Sequence, residues 1–252
     1  EAVRASSPEE AASGANGLIM PLSGTDAEGH VRIATSPITV DSTLLANMAA
    51  GGVVFSGQVS AALRRACASL NLRLVDTGED DELAILNSIP SAEGAVLMAM
   101  QATPITIHNS HCLVAGMGRT GMTLARLLLA MGAKVWAVAR KGRDRARAFE
   151  MGAVAVDIAD IADCIPQIDI VFNTVPAPAL LIDRSLILAM KPSAAIIDLA
   201  SSPGGVDFAA ASERGIAAQL APGLPGKVAP TTAGAMLSKV LPQIVEREFA
   251  KE

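Results

Sequence analysis

The chain has 252 residues with 25 acidic and 20 basic side chains, a formal net charge of −5; 51% of it is hydrophobic but only 2% aromatic. The length fits one large domain or two modest ones, and the acidic balance excludes a dedicated nucleic-acid binder, which needs a broad basic footprint. Alanine supplies 47 residues, so the positive mean hydropathy comes from small side chains suited to close helix–sheet packing and not from a membrane span of ~20 residues.

Residues 1–16 are polar and rich in Ala and Ser, and read as a short surface helix or a disordered lead-in. Two apolar runs follow, Gly17–Ser23 and Gly51–Ser56, with a helical stretch over Asp41–Ala50 that Asp41 can cap. Val59–Leu70 reads as an amphipathic helix and Leu72–Asp76 as a further strand. Strands alternating with helices predict parallel βαβ units. Such a sheet rarely begins with so few strands, which raises the expectation that strands precede Glu1. Helical stretches over Asp80–Asn87 and Ser91–Thr103 are punctuated by Pro90 and Pro104. The last segment, Thr232–Phe249, has one apolar face at helical spacing, and Pro242 predicts a kink or a late start. This helix is placed to fold back onto the first domain.

The strongest chemical signal is Cys112–Gly121 (CLVAGMGRTG). Gly116, Gly118 and Gly121 form G-x-G-x-x-G after an apolar strand, His111–Gly116, and before a helix. The first glycine makes the tight turn, the second admits a pyrophosphate to the backbone, and the third lets helix and strand pack closely. The helix N-terminus, with Arg119 and Thr120, offers N–H groups to the anion. Lys134–Ala139 follows as a second strand, which completes the context that the glycine pattern alone lacks. NAD sites place an acid at the end of that strand; this chain has Arg140 and Lys141, then Arg143, Arg145 and Arg147. NADP is therefore favoured over NAD, with Arg140 clamping the 2′-phosphate. The bland alternative is a solvated helix face, with Glu150 pairing one of the arginines.

Ile168–Val175 and Ala194–Leu199 are two more buried strands, and ligands collect beyond the carboxyl ends of such strands. Asn173 or Thr174, followed by Val175 and Pro176, can hold the nicotinamide ribose or simply brace the turn. Ala217–Leu220 leads to Ala221–Gly234, expected to be a rigid loop carrying Lys227. Small-polar clusters at Ser23-Gly24-Thr25, Phe55-Ser56-Gly57 and Asn87-Ser88-Ile89-Pro90 are candidate carboxylate donors or ordinary loops. No acid–base residue is evident: His108 and His111 precede the cofactor strand, and Glu93 sits at the start of a helix. Cys67, Cys112 and Cys164 are scattered without histidines at ligand spacing, so neither a disulfide framework nor a metal site is expected. No secretory leader is visible, consistent with a soluble protein of a reducing compartment.

Several segments together resemble the A-subunit family of dipicolinate synthase from spore-forming bacteria: Leu86–Gly94 (LNSIPSAEG), Thr106–His108, Gly116–Arg126 (GMGRTGMTLAR), Ile168–Pro176, Ile197–Phe208 (IDLASSPGGVDF) and Ala221–Gly234. The resemblance runs from about Gly17 to Phe249. It implies two Rossmann-like α/β domains with parallel sheets and a cleft between them: 1–103 plus 232–252 for substrate, and 104–231 for NADP. It also implies a cytoplasmic, mother-cell enzyme of sporulation that oxidises a dihydrodipicolinate to dipicolinate with NADP, working with a flavoprotein-like second component, the B subunit. Family members usually carry a further segment before the region matching Gly17. Carried across by position, Ser23, Ser56, Ser88, Ser201 and Lys227 are the expected substrate contacts, Asn173 and Thr174 lie beside the nicotinamide, and His108 and Glu93 are the candidate proton acceptors. Oligomeric state, a homo-oligomer included, is left open; neither nucleic acid nor membrane is an expected partner. The alternatives are a non-catalytic partner that binds the dinucleotide, or another two-domain dehydrogenase of the alanine or shikimate type. A shikimate-type site wants a lysine in the first domain, and no Lys occurs between Gly17 and Pro104.

Overall fold

The computed structural model describes residues 3–31, 38–176 and 180–251. Two compact units emerge, Glu1–Leu83 with Lys239–Glu252, and Ala84–Ser238. The sequence places the divisions at 103/104 and 231/232; in the contact pattern they fall inside two long helices.

In the first unit the polar lead-in forms α1 (Pro8–Ala12), whose Ser7 hydroxyl caps it by accepting from the Glu10 N–H. β1 (Gly17–Ile19) follows, then a two-residue antiparallel ladder of β2 (His30–Val31) and β3 (Ile38–Thr39). The helix expected over Asp41–Ala50 is only the short α2 (Ser42–Leu45), capped as expected by Asp41. β4 (Val53–Ser56), α3 (Ala61–Ser69, capped by Ser60) and β5 (Arg73–Asp76) complete a parallel sheet of order β1-β4-β5. The central strand β4 is buried along its whole length, which is why it reads as an unbroken Val-Val-Phe-Ser run.

α4 (Asp81–Ala102) runs straight through Pro90, where the sequence predicts a break. Proline removes the N–H that would serve the Leu86 carbonyl. On either side of that carbonyl, serine hydroxyls supply donors: Ser88 to Ile85 O at 2.6 Å and Ser91 to Asn87 O at 2.8 Å. α4 is apolar and long enough to cross a membrane by length and composition. Its Ala92, Ala95, Val96 and Ala99 instead sit in the core of the second unit, with Leu124 and Leu128.

The second unit continues with β6 (His111–Ala115), α5 (Arg119–Ala130), β7 (Lys134–Ala139), α6 (Gly142–Glu150), β8 (Val154–Asp157), α7 (Ile161–Cys164), β9 (Ile170–Asn173), α8 (Arg184–Ala189), β10 (Ala195–Asp198), α9 (Phe208–Glu213) and β11 (Ala217–Leu220). The six strands are all parallel in the order β11-β10-β9-β6-β7-β8. The order reverses between β6 and β9, and ligands of such sheets bind at the carboxyl edge of that reversal. Successive residues face opposite layers: Cys112 and Val114 enter the core beneath α4 and α5, while Leu113 and Ala115 enter the other.

The segment expected to be a loop after β11 is mostly helical. It holds α10 (Leu224–Val228) and the first turn of α11 (Pro230–Phe249). Pro225 and Pro230 fall in first turns, where the missing N–H costs nothing. α11 passes through Pro242 without ending. Its C-terminal part belongs to the first unit, as expected: Phe249 meets the Phe55 ring at 6.4 Å between centroids, the Arg73 guanidinium lies 6.0 Å from the Phe249 ring, and Arg247 pairs with Asp80 at 2.8 Å.

Candidate functional site

The glycine turn closes the carboxyl end of β6. Gly116 has φ +93°, a conformation L side chains rarely adopt, and its N–H donates to Val138 O at 2.9 Å, tying the turn to β7. A Cβ on Gly121 would lie 1.9 Å from Gly116 O, so only glycine lets α5 approach the turn this closely. Gly118 differs. Open space surrounds its missing side chain, and as the N-cap of α5 it gives no side-chain capping bond. The first N–H groups of α5, those of Arg119, Thr120 and Gly121, therefore face a cradle a side chain would fill, and this geometry fits a dinucleotide pyrophosphate.

From the neighbouring strand β9, Thr174 braces that turn. Its hydroxyl donates to Ala115 O at 2.9 Å and lies 3.2 Å from Gly116 O, and its N–H donates to Ala115 O at 2.8 Å. Thr174 thus shapes the pyrophosphate cradle. Asn173 is fully buried with its amide already used: Nδ2 donates to Asp198 at 2.8 Å and Oδ1 accepts from the Val175 N–H at 3.1 Å. This corrects the expectation that Asn173 reaches the nicotinamide ribose, because a side chain inside the sheet with both amide ends satisfied has nothing left to offer a ligand. Val175 is half-buried and Pro176 exposed at the same edge.

Asp198, at the end of β10, is not among the residues the sequence singles out. It is fully buried and accepts from Asn173 Nδ2, from Ala200 N–H at 2.9 Å and from Gly205 N–H at 2.7 Å. It ties the ends of β9 and β10 together and shapes the loop that carries the exposed Ser201. Its only sequence signal is an acid closing a buried strand ahead of Ser-Ser-Pro-Gly-Gly.

At the tip of β7, Arg140 and Lys141 are exposed and no acid occupies the strand end. The other arginines of the run are engaged. Arg143 pairs with Asp144 and Arg147 with Glu150, which bears out the bland reading for those two. Arg145 bonds Asp157 at 2.7 Å and the carbonyls of Ala139 and Arg140 at 3.0 and 2.9 Å.

The acid–base candidates do not join this edge. His108 precedes β6 and packs at Gly132, whose Cβ would lie 2.2 Å from His108 Nδ1. The five residues of β6, about 15 Å of strand, separate that end from the glycine turn. His108 is therefore on the wrong edge for the nicotinamide. His111 starts the same strand and stacks on Trp136 at 4.8 Å. Glu93 is exposed on α4, next to Gly94, which lies against Leu224 and Val228 of α10; the structure thus brings the elements of Glu93 and of exposed Lys227 together.

Two of the expected carboxylate donors are internal. Ser88 lies mid-helix and not in a loop, buried, with its hydroxyl bonded to Ile85 O and to Thr123 Oγ1 at 2.6 Å each. Ser56 is buried and donates to Gln58 O at 2.7 Å. Ser23 is exposed in the turn after β1.

Residues 1–77 match the family model for the N-terminal domain of the dipicolinate synthase A-subunit, and residues 91–207 match the NAD-binding domain of D-isomer specific 2-hydroxyacid dehydrogenases. The chain is 41% identical over 237 residues to the dipicolinate synthase A-subunit of Bacillus subtilis, covering 93% of this chain and 79% of that protein. Among solved structures, the corresponding proteins from Bacillus halodurans and Bacillus subtilis each superpose with a TM-score of 0.86 at 40% identity. The first comparison covers 91% of this chain and 79% of that one, and the second 96% and 81%. A transhydrogenase from Sinorhizobium meliloti, at 18% identity and a TM-score of 0.67 over 82% of this chain and 71% of that one, shares the fold.

Proposed function

The chain belongs to the A-subunit family of dipicolinate synthase, and on that premise we propose that it is an NADP-dependent oxidoreductase converting a dihydrodipicolinate to dipicolinate. The observation that carries the reading is the pair of strand ends beside the glycine turn. Arg140 and Lys141 extend from β7 with no acid there, and Asp157, the nearest acid on the adjoining strand, is paired with Arg145. A 2′-phosphate meets cations at that position, whereas a free ribose hydroxyl finds no carboxylate to accept its hydrogen bond.

Bound at this edge, NADP supplies a hydride acceptor. The chain's own contributions are positional. Gly116, Gly118 and Gly121 with the α5 N-terminus (Arg119, Thr120) hold the pyrophosphate, Thr174 fixes the turn, and Val175 and Pro176 line the nicotinamide end. The substrate's two carboxylates need donors, and the exposed Ser23, Ser201 and Lys227 are proposed to supply them; Ser56 and Ser88 would need to release their present acceptors first. Loss of a hydride and a proton leaves an aromatic ring, so the driving force lies in the substrate and the protein's task is orientation. Glu93 is the remaining proton-acceptor candidate, with the substrate part of the chain assigned to 1–103 and 232–252 and the cofactor part to 104–231. The family name points to a second component, the B subunit, for its partner and to the mother cell of a sporulating bacterium as the place of action.

The position of His108 favours keeping a second reading, that of a dinucleotide-binding partner whose chemistry occurs elsewhere. One experiment separates the two. The purified chain is mixed with NADP and freshly generated 4-hydroxy-tetrahydrodipicolinate, with and without the B subunit. Growth of NADPH absorbance together with the product's ultraviolet band supports the enzyme; tight NADP binding without turnover in either mixture supports the partner.

A further inference from the structure

Arg145 occupies the first turns of α6, five residues beyond Arg140. Its Nη1 is 2.7 Å from Asp157 Oδ2, 3.0 Å from Ala139 O and 2.9 Å from Arg140 O. Ala139 and Asp157 are register partners across β7 and β8. One guanidinium therefore joins the carboxyl ends of two strands to the helix that follows the first of them. Its side chain is only 30% exposed, against 78% for Arg143 and 62% for Arg147, whose partners are near neighbours in sequence.

Two consequences follow for the strand tip. The carbonyl of Arg140 is held, so that exposed side chain starts from a fixed backbone, and less ordering remains to be done when it meets an anion. Asp157 is matched by a cation, so its carboxylate does not repel a phosphate arriving one strand away. We infer that Arg145 is a positioning residue for cofactor selection, pinning the backbone that presents Arg140 and cancelling the charge of Asp157 so that a 2′-phosphate is accepted at the tip of β7. The inference rests on the NADP reading above. It adds that selectivity depends on a residue that makes no contact with the phosphate.

The test is calorimetric titration of the full chain with NADP+, NAD+, adenosine 2′,5′-bisphosphate and AMP. Arg145→Ala is expected to raise the dissociation constants of the two 2′-phosphorylated ligands about ten-fold, leaving NAD+ and AMP within about two-fold. Adding Asp157→Asn to Arg145→Ala is expected to recover part of that loss. Arg145→Lys keeps the charge but cannot span three acceptors, and should fall between; it also serves if the alanine variant does not fold. Equal weakening of all four ligands, or no recovery in the double variant, overturns the role given to Arg145. A wild-type chain that binds NAD+ as tightly as NADP+ overturns the NADP reading and this inference with it, whereas a wild-type preference that Arg145→Ala leaves intact overturns the inference alone.

Discussion

Asp198→Ala tests whether the site is built from its buried acid. Three donors converge on this side chain, at 2.7 to 2.9 Å, and its relative exposure is 0%. Truncation strands the N–H groups of Ala200 and Gly205 and the amide of Asn173. An orphaned buried donor costs about 1–3 kcal/mol. The three share one loop and relax together, so the total falls short of additivity, and about 3–5 kcal/mol is expected. With roughly 2–4 °C lost per kcal/mol for a unit of this size, the transition of the larger unit should move down by about 10 °C. Asp198→Asn keeps one acceptor but directs its NH2 group at a donor, and should lose about half as much. Differential scanning calorimetry reads both, and hydrogen exchange at Ala200–Gly205 should accelerate in step. A loss below about 1 kcal/mol for the alanine variant, or equal losses for the two, refutes the account of Asp198 as the tie between the ends of β9 and β10.

Gly118→Ala should leave the melting temperature unchanged, since its Cβ meets nothing within 4 Å, yet weaken NADP binding at least about ten-fold by filling the cradle; Gly121→Ala, with a Cβ 1.9 Å from Gly116 O, should lower both, and titration beside thermal melting separates them. The hydrogen bond from Arg247 holds the Asp80 carboxyl below its ordinary range, against a smaller opposing effect of burial. A depressed folded-state value gives stability that is complete above the unfolded value near pH 4 and is lost as pH falls through the folded one. Arg247 is more than half exposed, so the pair is worth a few tenths to about 1 kcal/mol; in Asp80→Asn the stability of the first unit should depend less on pH below 4, as acid titration of its melting would show. Burial pushes the Cys112 thiol up to about 11, the hydrogen bond with Ser110 opposing only in part, so an aromatic disulfide reagent at neutral pH should leave Cys112 unmodified in the native chain and modify it after unfolding. Rapid native labelling of Cys112 would contradict that burial.

What the sequence displayed well was chemistry confined to neighbours along the chain. The G-x-G-x-x-G turn, the caps at Asp41 and Ser60, and the strands Lys134–Ala139 and Ala217–Leu220 all depend on residues a few positions apart, and each appears where expected. The prolines misled because a local rule was outweighed by packing: Pro90 is buried on a face shared with Ala92, Ala95 and Ala99, and serine hydroxyls flank the carbonyl it leaves unserved. His108 misled for a geometric reason. Three residues before a strand is close in sequence, but in a parallel sheet it is a full strand length from the edge where ligands collect. The pairs that shape the site, Asn173 with Asp198 and Arg145 with Asp157, lie 25 and 12 positions apart and meet only once β9 lies beside β10 and β7 beside β8. That contrast bears on where selectivity resides. The basic run Arg140–Arg147 looks like one cluster in the sequence, but the fold divides it into two side chains open to a ligand, two engaged with exposed local acids, and one that reaches across strands to neutralise the acid that would oppose the ligand.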